Sequence, residues 1–179
     1  MTVMRAITLA ALACVLGCGS HAAAPAASPK PEEASAPVAI GDLAPAFALD
    51  SVNGAGRASL EAFRGDVVVV AFWATWSEPD KRLLIRLEDI RRGHARARLR
   101  IVGVSIDDEK EQLPEFASTY HLGFPIVWEA DRATTSRWKP QTDPATFILD
   151  RTGVVRFVHR GFHDGEDKDI EREIDELLR

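Results

Sequence analysis

Seven consecutive residues, Val67-Val68-Val69-Val70-Ala71-Phe72-Trp73, carry no polar side chain. A strand with one wet face alternates apolar and polar residues. An unbroken β-branched and aromatic run instead suits a strand covered on both faces. The chain must therefore supply layers on both sides of a sheet. Arg64-Gly65-Asp66 reads as the turn before the run. After it, Ser77 to Arg92 changes to a helical period, with Leu83, Leu84, Leu87 and Ile90 on one stripe. Gly93 ends that helix.

The pattern then repeats. Leu99 to Ile106 is a second buried strand, and Glu109 to Tyr120 a helix in which Pro114 either makes a kink or marks the first turn. Phe124 to Trp128 is a short strand and Asp131 to Trp138 a short helix. Ala145 to Leu149 is a third strong strand; Arg151-Thr152-Gly153 turns it into a return strand, Val154 to His159. Glu166 to Arg179 closes the chain as a helix with Ile170, Ile174, Leu177 and Leu178 on one face. Ala46-Phe47-Ala48-Leu49 reads as an edge strand before the core. No internal repeat is visible. The order implies an α/β domain, a central mixed β-sheet flanked by helices on both faces.

The N-terminus has another character. Arg5 precedes an apolar run, Ala6 to Leu16, that falls short of the roughly 20 residues of a membrane span but suits the core of an export signal. The run leads into Val15-Leu16-Gly17-Cys18, which resembles a bacterial lipobox. The resemblance implies cleavage before Cys18 and lipidation of its sulfur; the other reading is an ordinary secretory signal. Of residues 19 to 38, 15 are Ala, Pro, Ser or Gly, a composition that cannot bury a core and extends up to about 60 Å. The expected organisation is a signal peptide over 1–17, a lipidated Cys18 with an Ala/Pro-rich tether over 18–38, and a folded domain over 39–179. Its expected location is the cell envelope, on the periplasmic side, anchored to a membrane.

The only cysteines are Cys14 and Cys18. This excludes a disulfide-stapled fold, a cysteine zinc site and an iron–sulfur cluster. The net charge of −5 argues against binding nucleic acid through phosphate neutralisation.

Against this background, Ala71-Phe72-Trp73-Ala74-Thr75-Trp76-Ser77-Glu78-Pro79-Asp80 resembles the active-site segment of the thioredoxin-fold TlpA/ResA-like redoxins of the AhpC/TSA superfamily. Gly41 to Leu49 and Leu60 to Gly65 resemble the family's preceding segments, and Asp143-Pro144-Ala145-Thr146-Phe147 its cis-proline strand. The likeness runs from about Gly41 to Arg179 and implies a thioredoxin-like fold. It implies a Cys-x-x-Cys pair where this chain has Ser77 and Asp80. A serine hydroxyl ionises far above neutral pH and does not exchange with disulfides, and a carboxylate cannot resolve a mixed disulfide. Dithiol turnover by the chain alone is thus chemically excluded, and no catalytic residue is expected at Ser77 or Asp80.

Read as local structure, the segment makes sense. Ser77 is a favoured N-cap, Pro79 falls in the first turn, and Asp80 stands where a capping box places its acid. A Ser77 nucleophile would need a positioned base, and no histidine is near it in sequence. By the resemblance, Trp76, Glu78, Pro79, Asp143, Pro144 and Ala145 form a groove for an extended peptide, and the three carboxylates of Glu78, Asp80 and Asp143 would make it acidic. Trp73, Trp128 and Trp138 are expected in the core or at its rim. The histidines His21, His94, His121, His159 and His163 make no convincing metal site, and no metal or cofactor is expected. Lys81 to Arg100 holds eight bases and Asp164 to Arg179 eight acids against three bases, read as two solvated faces or, for the first, a basic patch facing anionic lipid or an acidic partner.

Two functions compete. One is a membrane-anchored, non-catalytic module that binds or scaffolds peptides or proteins. The other is a TlpA-like thiol-disulfide oxidoreductase or peroxiredoxin-type antioxidant protein acting with a partner's thiols.

Overall fold

The computed structural model describes residues 36–179. The signal peptide, Cys18 and most of the tether lie outside the described residues. Five strands form the central sheet: β3 (Val67–Trp73), β4 (Leu99–Ser105), β5 (Ile126–Val127), β6 (Ala145–Leu149) and β7 (Val155–Arg160), in the order β5-β4-β3-β6-β7. β3, β4 and β5 are parallel; β6 runs against them, and β7, antiparallel to β6, runs their way again. The helices are α1 (Glu78–Gly93), α2 (Leu113–Thr119), α3 (Ala133–Trp138) and α4 (Glu166–Leu178).

The seven-residue run is the middle strand, and all its residues are buried. Its pleat divides the core in two. Val67, Val69, Ala71 and Trp73 pack with Leu83, Leu84, Leu87 and Ile90 of α1, with Leu113 and Ala117 of α2, and with Ile170 and Ile174 of α4. Val68, Val70 and Phe72 face the other way, onto Trp138 of α3, Phe47 and Val38. Trp138 is fully buried, 5.6 Å from Phe72, 5.1 Å from Phe147 and 6.3 Å from Phe47 between ring centroids. Its indole N–H donates to the Pro45 carbonyl at 3.0 Å. The mixed sheet with helices on both faces is the architecture expected. Tertiary packing begins at Val38, whose N–H donates to the Trp138 carbonyl.

Apart from small shifts at strand ends, four elements differ from expectation. The strand near Ala46 is β1 (Ala48–Asp50), and it is not an edge of the central sheet. It pairs with β2 (Arg57–Ser59), which was not expected, in a separate hairpin. α2 begins only at Leu113, because Pro114 occupies its first turn rather than a kink. α3 begins at Ala133, since Arg132 before it is in the left-handed region at φ 51°.

One glycine is fixed by packing. A Cβ on Gly103 of β4 would lie 2.8 Å from Ile126 Cδ1 and 2.9 Å from Trp73 Nε1, so no larger residue fits beneath Trp73.

The strand directions bring three chain segments to one tip of the sheet: the loop after β3, the loop after β4 and the loop before β6. The functional site lies there.

Candidate functional site

Ser77 is the N-cap of α1, with extended backbone at φ −95° and ψ 118°. Its hydroxyl accepts the Asp80 N–H at 3.4 Å and donates to Asp80 Oδ1. Asp80 Oδ2 accepts the Ala74 N–H at 2.7 Å. The expected capping box is therefore reciprocal in part. The acid turns back past the cap and holds the backbone where β3 ends, so strand, turn and helix are tied by one carboxylate. The negative side chains Glu78 and Asp80 also lie in the first turn, where the helix dipole favours them.

Asp80 has no exposed surface. Burial raises its pKa above the usual carboxyl value, the hydrogen bonds from Ser77 and Ala74 oppose this, and the charges of Asp143 and Asp107 add to the rise. Asp143 is also raised, by the burial of its carboxyl group against the pull of Arg132. The folded protein thus holds the Asp80 proton more tightly than the unfolded chain. This contribution to stability is complete below about pH 4 and is lost as pH rises through the raised value. Asp80→Asn keeps both hydrogen-bonding positions, since its amide accepts from Ala74 and donates to Ser77. We expect the variant to gain on the order of 1 kcal/mol over the parent at pH 7. The gain should shrink toward pH 4, as measured by urea unfolding of both proteins across that range.

Trp76 stands on the solvent side, 68% exposed. Glu78 is exposed and pairs with Lys81 at 2.5 Å. The Asp143–Pro144 peptide bond is cis. Asp143 is exposed as a residue although its carboxyl group is partly screened from solvent, whereas Pro144 and Ala145 are buried and back the site rather than line it. Ala145 is held between Phe72 and Arg160 in the ladder, and the Pro144 carbonyl accepts the Gly161 N–H at 2.8 Å. An arriving peptide strand could pair only with backbone before Pro144. The surface offered is Trp76, Glu78, part of Pro79, and Asp143.

A further residue belongs to this tip. Asp107 follows β4 and accepts from the Thr75 hydroxyl at 2.6 Å, the Thr75 N–H at 3.1 Å and the Ser105 hydroxyl at 2.8 Å. It fixes the loop that carries Trp76. The signal for it was the parallel pairing of two consecutive buried strands, which brings Trp73 beside Ser105.

Other charged clusters lie away from the tip. His159 bridges Glu166 at 3.0 Å and Glu173 at 2.6 Å, and His163 donates its N–H to Glu166 at 3.0 Å. These tie α4 to β7. His94 sits between the Ile90 carbonyl and Asp175, joining α1 to α4. Among the described residues no three His, Cys, Asp or Glu side chains are placed to hold a metal ion. None of the described helices is long and apolar enough to cross a membrane.

The sequence model of the AhpC/TSA family matches residues 40–158. The chain is 32% identical over 124 residues to the thioredoxin-like protein YneN of Bacillus subtilis, covering 68% of this chain and 71% of that one. It is 29% identical over 140 residues to the thiol-disulfide oxidoreductase ResA of Geobacillus kaustophilus, covering 78% and 79%. A thiol:disulfide interchange protein DsbE from Chlorobium tepidum superposes with a TM-score of 0.74 at 25% identity, over 79% of this chain and 99% of that one. A protein disulfide isomerase from Bacteroides thetaiotaomicron superposes at 0.71 with 23% identity, over 79% and 91%, a likeness of fold.

Proposed function

The chain belongs to the AhpC/TSA family, and we propose that this thioredoxin-like member binds an extended peptide or protein segment without catalysing thiol exchange. The observation that carries this reading is the start of α1. Ser77 and Asp80 are bonded to each other and to Ala74, and residues 19–179 contain no cysteine. The positions are used to begin a helix, which leaves no nucleophile or resolving group. What remains is the exposed Trp76 and the acidic side chains of Glu78 and Asp143.

Such a surface favours a partner with basic or polar side chains, its backbone pairing beside Asp143. Trp76 supplies the apolar contact and Glu78 and Asp143 the charge. The lipobox-like segment at Cys18 supports an anchored module on the outer side of a membrane, with the tether giving it reach.

The test is binding of extended peptides of matched length, one set Lys/Arg-rich and one Asp/Glu-rich, followed by anisotropy. The basic set should bind more tightly. Trp76→Ala should weaken it by about thirtyfold, the scale of a central aromatic contact. Asp143→Ala should reduce both affinity and its dependence on salt. Equal affinity for both peptide sets, or no effect of either substitution, contradicts the reading.

A second reading is favoured by the relatives called thiol-disulfide oxidoreductases: the chain takes part in thiol exchange with cysteines supplied by a partner. It predicts turnover in the presence of that partner alone. The binding reading predicts the same affinity for a peptide whether or not it contains cysteine.

A further inference from the structure

The end of the sheet opposite the site has the reverse character. It is about 20 Å away, the length of seven strand residues. The loops before β3, before β4 and after β6 meet there: the Gly65 N–H donates to the Arg151 carbonyl, the Val67 N–H to the Arg98 carbonyl, and Arg64 to the Thr152 carbonyl. Residues 40–43, 61–66, 94–100 and 150–154 hold five arginines against four acids. At the site end, residues 74–80, 106–108 and 141–145 hold five carboxylates, of which Glu78 pairs with Lys81 and Asp108 with Arg132. The domain is therefore electrically polar along its strands.

Two of the four acids at the basic end are held in ion pairs. Asp66 is shared by Arg98 at 2.6 Å and Arg100 at 2.8 Å, and those two guanidiniums remain more than half exposed. Asp150 is paired with Arg156 at 2.7 Å. Asp42 accepts the Ala39 N–H at 2.9 Å. Arg64, Arg96 and Arg151 are exposed and have no carboxylate partner among the described residues. Glu61 and Asp42 are the exposed acids among them.

Apolar side chains stand in the same place. Ile40 is 65% and Leu43 61% exposed, two of the four large apolar residues on the described surface. The Gly41 N–H donates to Val155 and Leu43 bridges Val154, which fixes this segment at the arginine-rich end. Behind Leu43 lies an open hollow of about 430 Å³ with Leu60, Phe63 and Leu149 in its wall and Arg64 and Arg151 at its rim.

We propose that this end is a docking surface for an anionic lipid bilayer. Ile40 and Leu43 enter the interface, and Arg64, Arg96 and Arg151 meet lipid phosphates. Charge complementarity favours this occupant, because lipid phosphates attract the basic end while the acidic tip is repelled. The approach of the chain agrees with it, since the 35 residues before Ala36 join only four positions ahead of Ile40. A docked domain holds Trp76 and Asp143 away from the membrane. The inference stands on the charges and apolar residues of this end, not on lipidation of Cys18.

The test is hydrogen exchange of the full chain on phosphatidylcholine vesicles with and without phosphatidylglycerol, after flotation has measured binding to each. Flotation on the neutral vesicles reads anchoring by the N-terminal segment alone. On the anionic vesicles, amides in 40–44, 61–66 and 150–154 should exchange more slowly than on the neutral ones, while 74–80 and 141–144 stay unchanged. Each arginine near an anionic surface is worth about fivefold, so Arg64→Ala with Arg151→Ala should lower the docked-to-free ratio by about 25-fold. Ile40→Ser with Leu43→Ser should also reduce protection. Failure to float with anionic vesicles, equal exchange on both compositions, or protection at 74–80 instead overturns the proposal.

Discussion

Replacing Ser77 and Asp80 together by cysteine is expected to give a chain that reduces insulin disulfides in the presence of a dithiol at least about tenfold above background. Both positions lie at the start of α1, three residues apart, directly after exposed Trp76. A thiol at the cap gains from the helix N-terminus, which stabilises its thiolate. The second thiol can reach it within the same turn. The Ala74 N–H loses the Asp80 carboxylate, so the reduced double variant should be less stable by about 1–3 kcal/mol. Ser77→Cys alone provides an attacking thiol and no resolving one. It should form mixed disulfides without turning over. A double variant that forms the disulfide but still does not turn over would place the cause elsewhere, in the acidic surroundings of Asp107 and Asp143 rather than in the absent sulfur.

Trp138→Ala is expected to cost about 4 kcal/mol, near the upper range for an aromatic core truncation. The ring is fully buried among Phe47, Phe72 and Phe147, so the cavity cannot fill with water at little cost. The Pro45 carbonyl also loses its indole donor. Because α3 is short and Val38 and Phe47 pack on the same ring, the loss should loosen the N-terminal segment before the sheet melts. Trp138→Phe retains most of the area and should cost less, about 1–2 kcal/mol. Urea midpoints for the two variants measure the difference. A cost for Trp138→Ala below that of Trp138→Phe would show that the ring is not the centre of this face.

The contrast between Trp138 and the β1–β2 hairpin shows what the sequence could reveal. Long, uninterrupted patterns decide the fold: Val67–Trp73 could only be a covered strand, and the stripe from Leu83 to Ile90 needed that strand's face. β2 is three residues long, Arg57-Ala58-Ser59, with one buried side chain. No period can be read from so short a segment; its pairing is set by Asp50, Arg57 and the turn between them. At the site, the cap at Ser77 and its acid were legible because they are neighbours. Asp107, far along the chain, required the register of β3 on β4. The groove was only partly legible for the same reason. That Ala145 is enclosed on both sides follows from β7 reaching Arg160, one residue beyond the expected end of the strand. The contacts of His159 with Glu166 and Glu173 depend on how α4 packs against β7, which the local pattern does not give.

The most direct measurement of the whole account is a dithiol-driven insulin-reduction assay on the full wild-type chain, with the Ser77→Cys/Asp80→Cys variant run beside it. The account predicts no rate above buffer for the wild type at any protein concentration, and a rate for the variant. A wild-type rate that rises in proportion to its concentration would contradict it.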